Sequence, residues 1–339
     1  LATVSTWTSG VYMAVLTNAQ NYQNYVPFVV RDDSRVAPLL YQQPVTTYQA
    51  YNDYPYDDQT GKSLYSFNSY GANTAGGSKA AVKVSFDRPY NWDGDAGAWG
   101  HNVLSVETAF IRWLEKSGYD VTYATDIDTH SNGALLLNYR GIITPGHDEY
   151  WTKEMLDAFT AARDQGVNLG FFSANIAYTQ IRMEPSSSGV PNRVVVCYRE
   201  PALDPNPNPA LKTVNWRDAP LNRPEQTLVG VQYTNQVAQN AQGLHAPYVV
   251  NNSGHWVYAG TGFRDGDTVL GLVGYEADRL FSEYPAPNSA AGTYTLLSRS
   301  PFSASGGQDY GNSSIYQAPS GAWVFGAGTI NWGFALDAY

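Results

Sequence analysis

Apolar and polar residues alternate from residue 9 to residue 31, where Val11-Tyr-Met-Ala-Val-Leu16 and Tyr25-Val-Pro-Phe-Val-Val30 flank a polar stretch from Thr17 to Asn24. A period of two belongs to strands, so the pair predicts a β-hairpin. Two strands are not stable alone. The hairpin either completes a β-sandwich whose other strands precede Leu1 or packs on a larger sheet. Arg31-Asp-Asp-Ser34 then reads as a linker.

From Pro38 the pattern changes. Leu39-Leu-Tyr-Gln42 reads as a strand feeding Thr46-Thr-Tyr-Gln-Ala-Tyr-Asn52, and Ala81-Val-Lys-Val-Ser-Phe86 as the next. Val103, Val106, Phe110, Trp113 and Leu114 recur near helical spacing up to Lys116, with Gly118 as the stop. Asp120-Val-Thr-Tyr-Ala124 follows as a strand. Ile142 and Ile143 read as a short buried strand ended by Pro145-Gly146, and three ionisable residues, His147, Asp148 and Glu149, then open a helix carrying Trp151, Met155, Leu156 and Phe159 on one face. A helix from Thr152 to Asp164 and a strand at Val167-Asn-Leu-Gly-Phe-Phe172 continue the series. Alternating strands and helices predict βαβ units and a parallel sheet.

After Arg182 the order weakens. The Pro/Asn-rich run from Pro201 to Pro209 begins a loop-rich insertion at about residues 200–266. Regular strands return at Val269–Val273, Thr293–Leu297 and Ala322–Gly326. The expected organisation is a hairpin unit over residues 1–35 and an α/β domain over residues 36–339. Leu1 is not a start residue, and the chain reads as an excised fragment.

Composition narrows the possibilities. The 339 residues are 43% hydrophobic and only 15% charged, enough to bury a core without cross-links. A net charge of −10 without a Lys/Arg cluster argues against nucleic acid and an anionic membrane surface. No apolar run is long enough to span a bilayer. Cys197 is the only cysteine, so no intrachain disulfide and no thiolate metal cage can form, and the compartment stays open between secreted and cytoplasmic.

Candidate chemistry gathers at strand ends: Tyr48 to Tyr51, Phe86 to Tyr90, His147 to Glu149 and Ser173 to Asn175. Open α/β sheets bind ligands there. There is no Walker A loop, dinucleotide glycine fingerprint, Gly-x-Ser-x-Gly elbow or His-Glu-x-x-His pair. His101, His130, His245 and His255 lack a second ligand at metal spacing and read as structural.

Thr46-Thr-Tyr-Gln-Ala-Tyr-Asn52, Ser63-Leu-Tyr65, Ser85-Phe-Asp-Arg-Pro-Tyr90, Ile111-Arg-Trp-Leu-Glu115, Gly146-His-Asp-Glu-Tyr-Trp151 and the stretch from Asn168 to Asn175 together resemble the carboxyl-terminal domain of the N,N-dimethylformamidase large (β) subunit family. The resemblance runs from about residue 9 to the end. It implies a three-layer αβα sandwich with a mainly parallel, glutamine-amidotransferase-like sheet, the hairpin being left from a truncated β-sandwich. It also implies a metal-dependent hydrolase of C–N amide bonds with a mononuclear ferric iron held by two tyrosine phenolates and a glutamate. Glu149 is the carboxylate ligand carried over and Tyr51 the first phenolate; Tyr90 or Tyr65 is the second. His147, Asn175 and Glu276 match further pocket positions, with His147 or Glu276 as proton carrier and Asn175 as holder of an oxyanion or water. A small amide is the implied substrate, with a small partner subunit or a homo-oligomer.

Hard anionic oxygens suit ferric iron, and three of them balance its charge. The segment after Asn52, Asp-Tyr-Pro-Tyr-Asp-Asp-Gln-Thr-Gly-Lys, is longer and more acidic than the short glycine turn expected in the family. A different class of function is also compatible with an aromatic-rich, Lys-poor surface: a carbohydrate- or surface-binding module of the same fold without catalysis.

Overall fold

The computed structural model describes residues 6–337 apart from 36, 56, 58, 72–73, 76–78, 91–102 and 242. His101 and the start of the helix expected near residue 103 border on or lie within the undescribed stretch. The hairpin forms from Gly10–Thr17 and Gln23–Val30, paired antiparallel with Val11 opposite Val29. Those two valines pack beside Tyr41, Phe110 and Tyr123.

The largest sheet has seven strands. Its parallel part consists of Val121–Thr125, Leu39–Gln43, Gly141–His147, Asn168–Ala174 and Trp323–Gly326 in that spatial order. Ser314–Gln317 and Thr295–Leu296 extend it antiparallel. Leu40, Ile142, Leu169 and Val324 meet Trp151, Phe159 and Phe171 in one core cluster, whereas Tyr41 and Ile143 meet Phe110, Leu114 and Tyr123 in another. Neighbouring residues of one strand thus enter two clusters, which explains the unbroken apolar runs of these strands.

The expected three-layer αβα sandwich with a mainly parallel, glutamine-amidotransferase-like sheet is not the observed fold. Among the described residues the chain is chiefly strands, in mixed and antiparallel sheets, with few helices. Among the described residues five further sheets accompany the large one: four of two strands and one of four. The four-stranded sheet joins Lys83–Ser85, Val194–Val196, Thr179–Glu184 and Tyr150–Thr152, antiparallel except for its last pair. The physical reason lies in the second half of the chain, where strands follow one another across tight turns: Ser300–Ala304 returns directly as Gly307–Gly311. Short turns impose antiparallel pairing, because a parallel return needs a long crossover.

The local expectation at residues 147–149 also needs correction. These residues do not open a helix. His147 closes its strand, and the short strand Tyr150–Thr152 precedes the helix Lys153–Asp164. Thr152, not Asp148, caps that helix, its hydroxyl accepting from Met155 N at 3.3 Å. Asp148 turns inward and accepts from the Trp151 indole at 2.7 Å. The expected passage from strand directly into helix is therefore replaced by a strand, two intervening residues and a second short strand.

Candidate functional site

Three parallel strands deliver the first residues of the site. Leu39–Gln43 leads into the helix Val45–Tyr51, which ends on Tyr51. Gly141–His147 ends on His147, and Asn168–Ala174 is followed at once by Asn175, with His147 paired to Ala174 in register. Carboxyl ends of adjacent parallel strands lie side by side, so residues far apart in sequence meet. Glu276 arrives from outside this sheet, at the start of the strand Glu276–Arg279.

The side chains close into one hydrogen-bonded cluster. The Tyr51 phenol donates to Glu149 Oε2 at 2.5 Å. His147 Nε2 lies 3.3 Å from that oxygen and 3.1 Å from Glu276 Oε2. Asn175 Nδ2 donates to Glu276 Oε2 at 2.9 Å and lies 3.3 Å from His147 Nε2. Gln236 Nε2 holds the other oxygen of Glu276 at 3.0 Å. His147, Glu149, Asn175 and Glu276 are all buried.

Backbone geometry fixes Asn175 and the glycine before His147. Asn175 has φ 57, and its N–H donates to Asp278 Oδ1 at 2.7 Å. Asparagine tolerates this left-handed region better than most residues. Gly146, with φ 65, has no substitute: a Cβ there would stand 2.5 Å from Glu107 Oε1 and 2.9 Å from Val106 Cγ2.

Electrostatics follow from burial and from the paired carboxylates. Burial alone would lower the His147 imidazole, but Glu276 and Glu149 outweigh it and push its pKa up to about 10. Burial opposes ionisation of Glu276, yet His147 and its hydrogen-bond donors hold that carboxyl below its ordinary value. Burial pushes Asp148 and Asp278 each up to about 7. The Tyr51 phenol is driven well above its ordinary range, first by burial and then by the Glu149 charge.

Of the two candidates for a second phenol, Tyr65 is the one beside Tyr51. Their rings stack with centroids 4.7 Å apart. The Tyr65 hydroxyl meets the Tyr150 hydroxyl, and the Arg199 guanidinium stands 4.4 Å from the Tyr65 ring centre. The Tyr90 phenol is pushed up by burial and acted on by the charges of Arg88, Asp126 and Arg193.

Several residues of the site were not singled out from the sequence. Arg199 donates to Tyr150 Oη at 3.1 Å and to Leu64 O at 2.5 Å. Tyr275 Oη faces His147 Nδ1 at 3.4 Å. Tyr150 was within reach, because it directly follows Glu149; Arg199 lies where the local pattern carries no periodicity. Two further histidines have partners of their own, His130 in Thr152 and Glu154 and His255 in Val257 N.

The donor chemistry can be compared with the needs of a metal. Among the described residues no three His, Cys, Asp or Glu side chains are grouped as metal ligands. Counting phenols, Tyr51, Tyr65 and Glu149 bring hard oxygen donors together, a set that fits ferric iron better than a softer ion. Asn175 Oδ1 and Asp278 Oδ2 are buried without a hydrogen-bond partner among the described residues, so the cluster has polar capacity left over.

Comparison with known proteins gives two findings. Residues 1–339 match the family described as "N,N-dimethylformamidase beta subunit-like, C-terminal". The N,N-dimethylformamidase beta subunit of an Alcaligenes species is 24% identical over 210 residues, a match covering 53% of this chain and 27% of that protein. The match thus spans about a quarter of that relative's length.

Proposed function

Because the chain belongs to the N,N-dimethylformamidase beta subunit-like, C-terminal family, we propose that its buried cluster is the hydrolytic centre of an amide hydrolase that works with a mononuclear iron ion. The observation that supports this reading is the convergence of a phenol, two carboxylates, an imidazole and an amide from four separate segments onto one buried point. A core has no need of such a gathering, since each buried polar group costs free energy unless it is fully paired.

In this reading Tyr51, Tyr65 and Glu149 hold the iron. The chemistry that iron supplies when bound is Lewis acidity, which polarises an amide carbonyl and acidifies water. His147 carries the proton: its Nε2 faces Glu149 and Glu276, and it can deliver to a leaving amine nitrogen. Glu276 balances the imidazolium and is itself held by Asn175 and Gln236. Asn175 therefore orients Glu276. Burial keeps bulk water from the proton path, so that charge–charge interactions are stronger there than in solvent.

The substrate class is a small amide, with N,N-dimethylformamide the first compound to try, and a partner subunit belongs to the proposal because the Alcaligenes relative is one subunit of its enzyme. Among the described residues no helix is long and apolar enough to cross a membrane. The decisive experiment joins elemental analysis of the purified protein to an assay for amine release from simple amides. Stoichiometric iron with amine release supports the reading. Iron-loaded protein inert toward every amide, alone and with its partner subunit, overturns the activity, and protein that takes up no iron overturns the metal.

A further inference from the structure

The strand Glu276–Arg279 touches the candidate site twice. Side chains alternate along a strand, so Glu276 and Asp278 leave by one face, while Ala277 between them enters the apolar cluster of Val273 and Phe302 on the other. Glu276 Oε2 accepts from the Asn175 side-chain amide at 2.9 Å, and Asp278 Oδ1 accepts from the Asn175 backbone N–H at 2.7 Å. One strand thus holds one residue by its backbone and by its side chain. Only the first of these two carboxylates has a role in the proton path.

The strand is itself pinned along both edges. In its antiparallel pair with Gln232–Gln236, Gln236 stands opposite Glu276 and Tyr233 opposite Asp278. The Asp278 N–H donates to Gly328 O at 3.0 Å, and its carbonyl accepts from Asn312 N at 2.8 Å. Asn175, in contrast, has just left its sheet: the pairing of Asn168–Ala174 with the neighbouring strand ends at Ala174 opposite His147, and Asn175 turns with φ 57. A fixed carboxylate therefore holds a residue that its own strand no longer places.

Asp278 is a costly residue for this bond. Its side chain is fully buried, and Oδ2 has no hydrogen-bond partner among the described residues. Arg217, the cation acting most strongly on it, is engaged by Glu225 through Nε at 3.2 and 3.1 Å and by Tyr233 O at 2.9 Å. A single hydrogen bond returns only part of what burying a carboxylate costs, but a charged acceptor makes a shorter and stronger bond than a neutral one. We propose that Asp278 is a positioning residue of the hydrolytic cluster: by holding the Asn175 N–H it aims the Asn175 amide at Glu276, and so keeps Glu276 beside His147. The role in hydrolysis rests on the amide-hydrolase reading of the cluster; the aiming of Asn175 does not.

Two probes read the aiming in the metal-free chain without substrate: the Asn175 backbone amide proton and its side-chain NH2 pair in amide NMR spectra. The backbone proton of the wild type should be strongly deshielded and protected from exchange. Asp278→Ala should remove that protection and also shift the side-chain pair, because the bond to Glu276 loosens with the backbone. Asp278→Asn keeps the volume and an acceptor without the charge, so it should lie between the two, and it carries the test if the Ala variant does not fold. With an amide substrate, Asp278→Ala should lose about tenfold or more in kcat, the worth of one charge-assisted hydrogen bond, with KM held within about threefold. Asp278→Asn should recover part of that loss. A side-chain pair unmoved in Asp278→Ala would overturn the proposal, as would an unchanged kcat or a rise in KM alone. Wild-type protein inert toward amides would overturn the role in hydrolysis together with the reading it rests on, while the two probes would still decide whether Asp278 aims Asn175.

Discussion

Glu149 Oε2 accepts the Tyr51 phenol at 2.5 Å and lies 3.3 Å from His147 Nε2, so one carboxylate oxygen serves both neighbours. Glu149→Gln keeps the volume and removes the charge. Iron content should fall from stoichiometric to background, and amide hydrolysis by at least about a hundredfold, the scale of losing one charged stabilising group. Circular dichroism should show the fold retained. A Gln variant with full iron and full activity would end the assignment of Glu149 as ligand.

Arg199 fixes Tyr65 from the side. Its guanidinium lies over that ring and bonds both Leu64 O and Tyr150 Oη, from a backbone with φ 63. Arg199→Met keeps the stem and loses two hydrogen bonds, a loss of about 1–3 kcal/mol in urea denaturation. Tyr65 is 45% exposed, so without this brace its ring is able to leave Tyr51. Iron affinity, read by chelator competition, should drop about 10- to 100-fold, as for other residues that orient a ligand. Lysine should not rescue it, because an ammonium lacks the planar fork. A structure of the metal-free variant with Tyr65 still stacked on Tyr51 would contradict the positioning role.

Gly146 joins the strand to His147 under a steric limit. Gly146→Ala demands a positive φ of a residue with a Cβ and drives that Cβ against Glu107 and Val106. The expected destabilisation is about 2–4 kcal/mol, adding the left-handed backbone to overpacking. Glu107→Ala in the same chain removes the nearer obstacle but not the backbone cost. The double variant should therefore be more stable than the sum of the single losses by about 1 kcal/mol. Strict additivity in chemical denaturation would show that the contact does not limit the strand.

The residues differ in how far the sequence announced them. Tyr51, His147, Glu149 and Asn175 stand at or just beyond the ends of runs whose strand period or apolar continuity is plain, and the structure brings them together with Glu276. Tyr65 and Tyr90 could not be separated, because both follow irregular loops whose return path is set by distant contacts such as Arg199 to Leu64. The parallel strands were legible from their unbroken apolar runs, buried on both faces. The sheets of the second half were not: Ser300–Ala304 and Gly307–Gly311 alternate weakly, and what pairs them is a tight turn rather than a hydrophobic stripe. The helix from Thr152 to Asp164 forms, but its expected opening by His147, Asp148 and Glu149 fails for a similar reason. Trp151, Met155 and Phe159 do share one core, but Tyr150–Thr152 pairs with Thr179–Glu184 before the helix begins.

Acid should expose one ion pair away from the site. Arg182 grips Asp204 at 2.6 and 3.0 Å, while the N–H and hydroxyl of Thr213 donate to the same carboxylate at 2.8 and 2.9 Å. Although burial works against ionisation, these donors prevail and hold Asp204 down at about 2, below the ordinary aspartate value of about 3.9. A carboxyl with a lower pKa folded than unfolded contributes stability that is fully present above the unfolded value. That contribution disappears as the pH falls through the folded one. The loss attributable to Asp204 should therefore fall between about pH 4 and pH 2. Urea midpoints measured across that interval should decline less steeply in Arg182→Met, whose Asp204 has less of its preference for the charged form left to lose. Parallel declines in the two proteins would show that Asp204 does not govern this part of the acid transition.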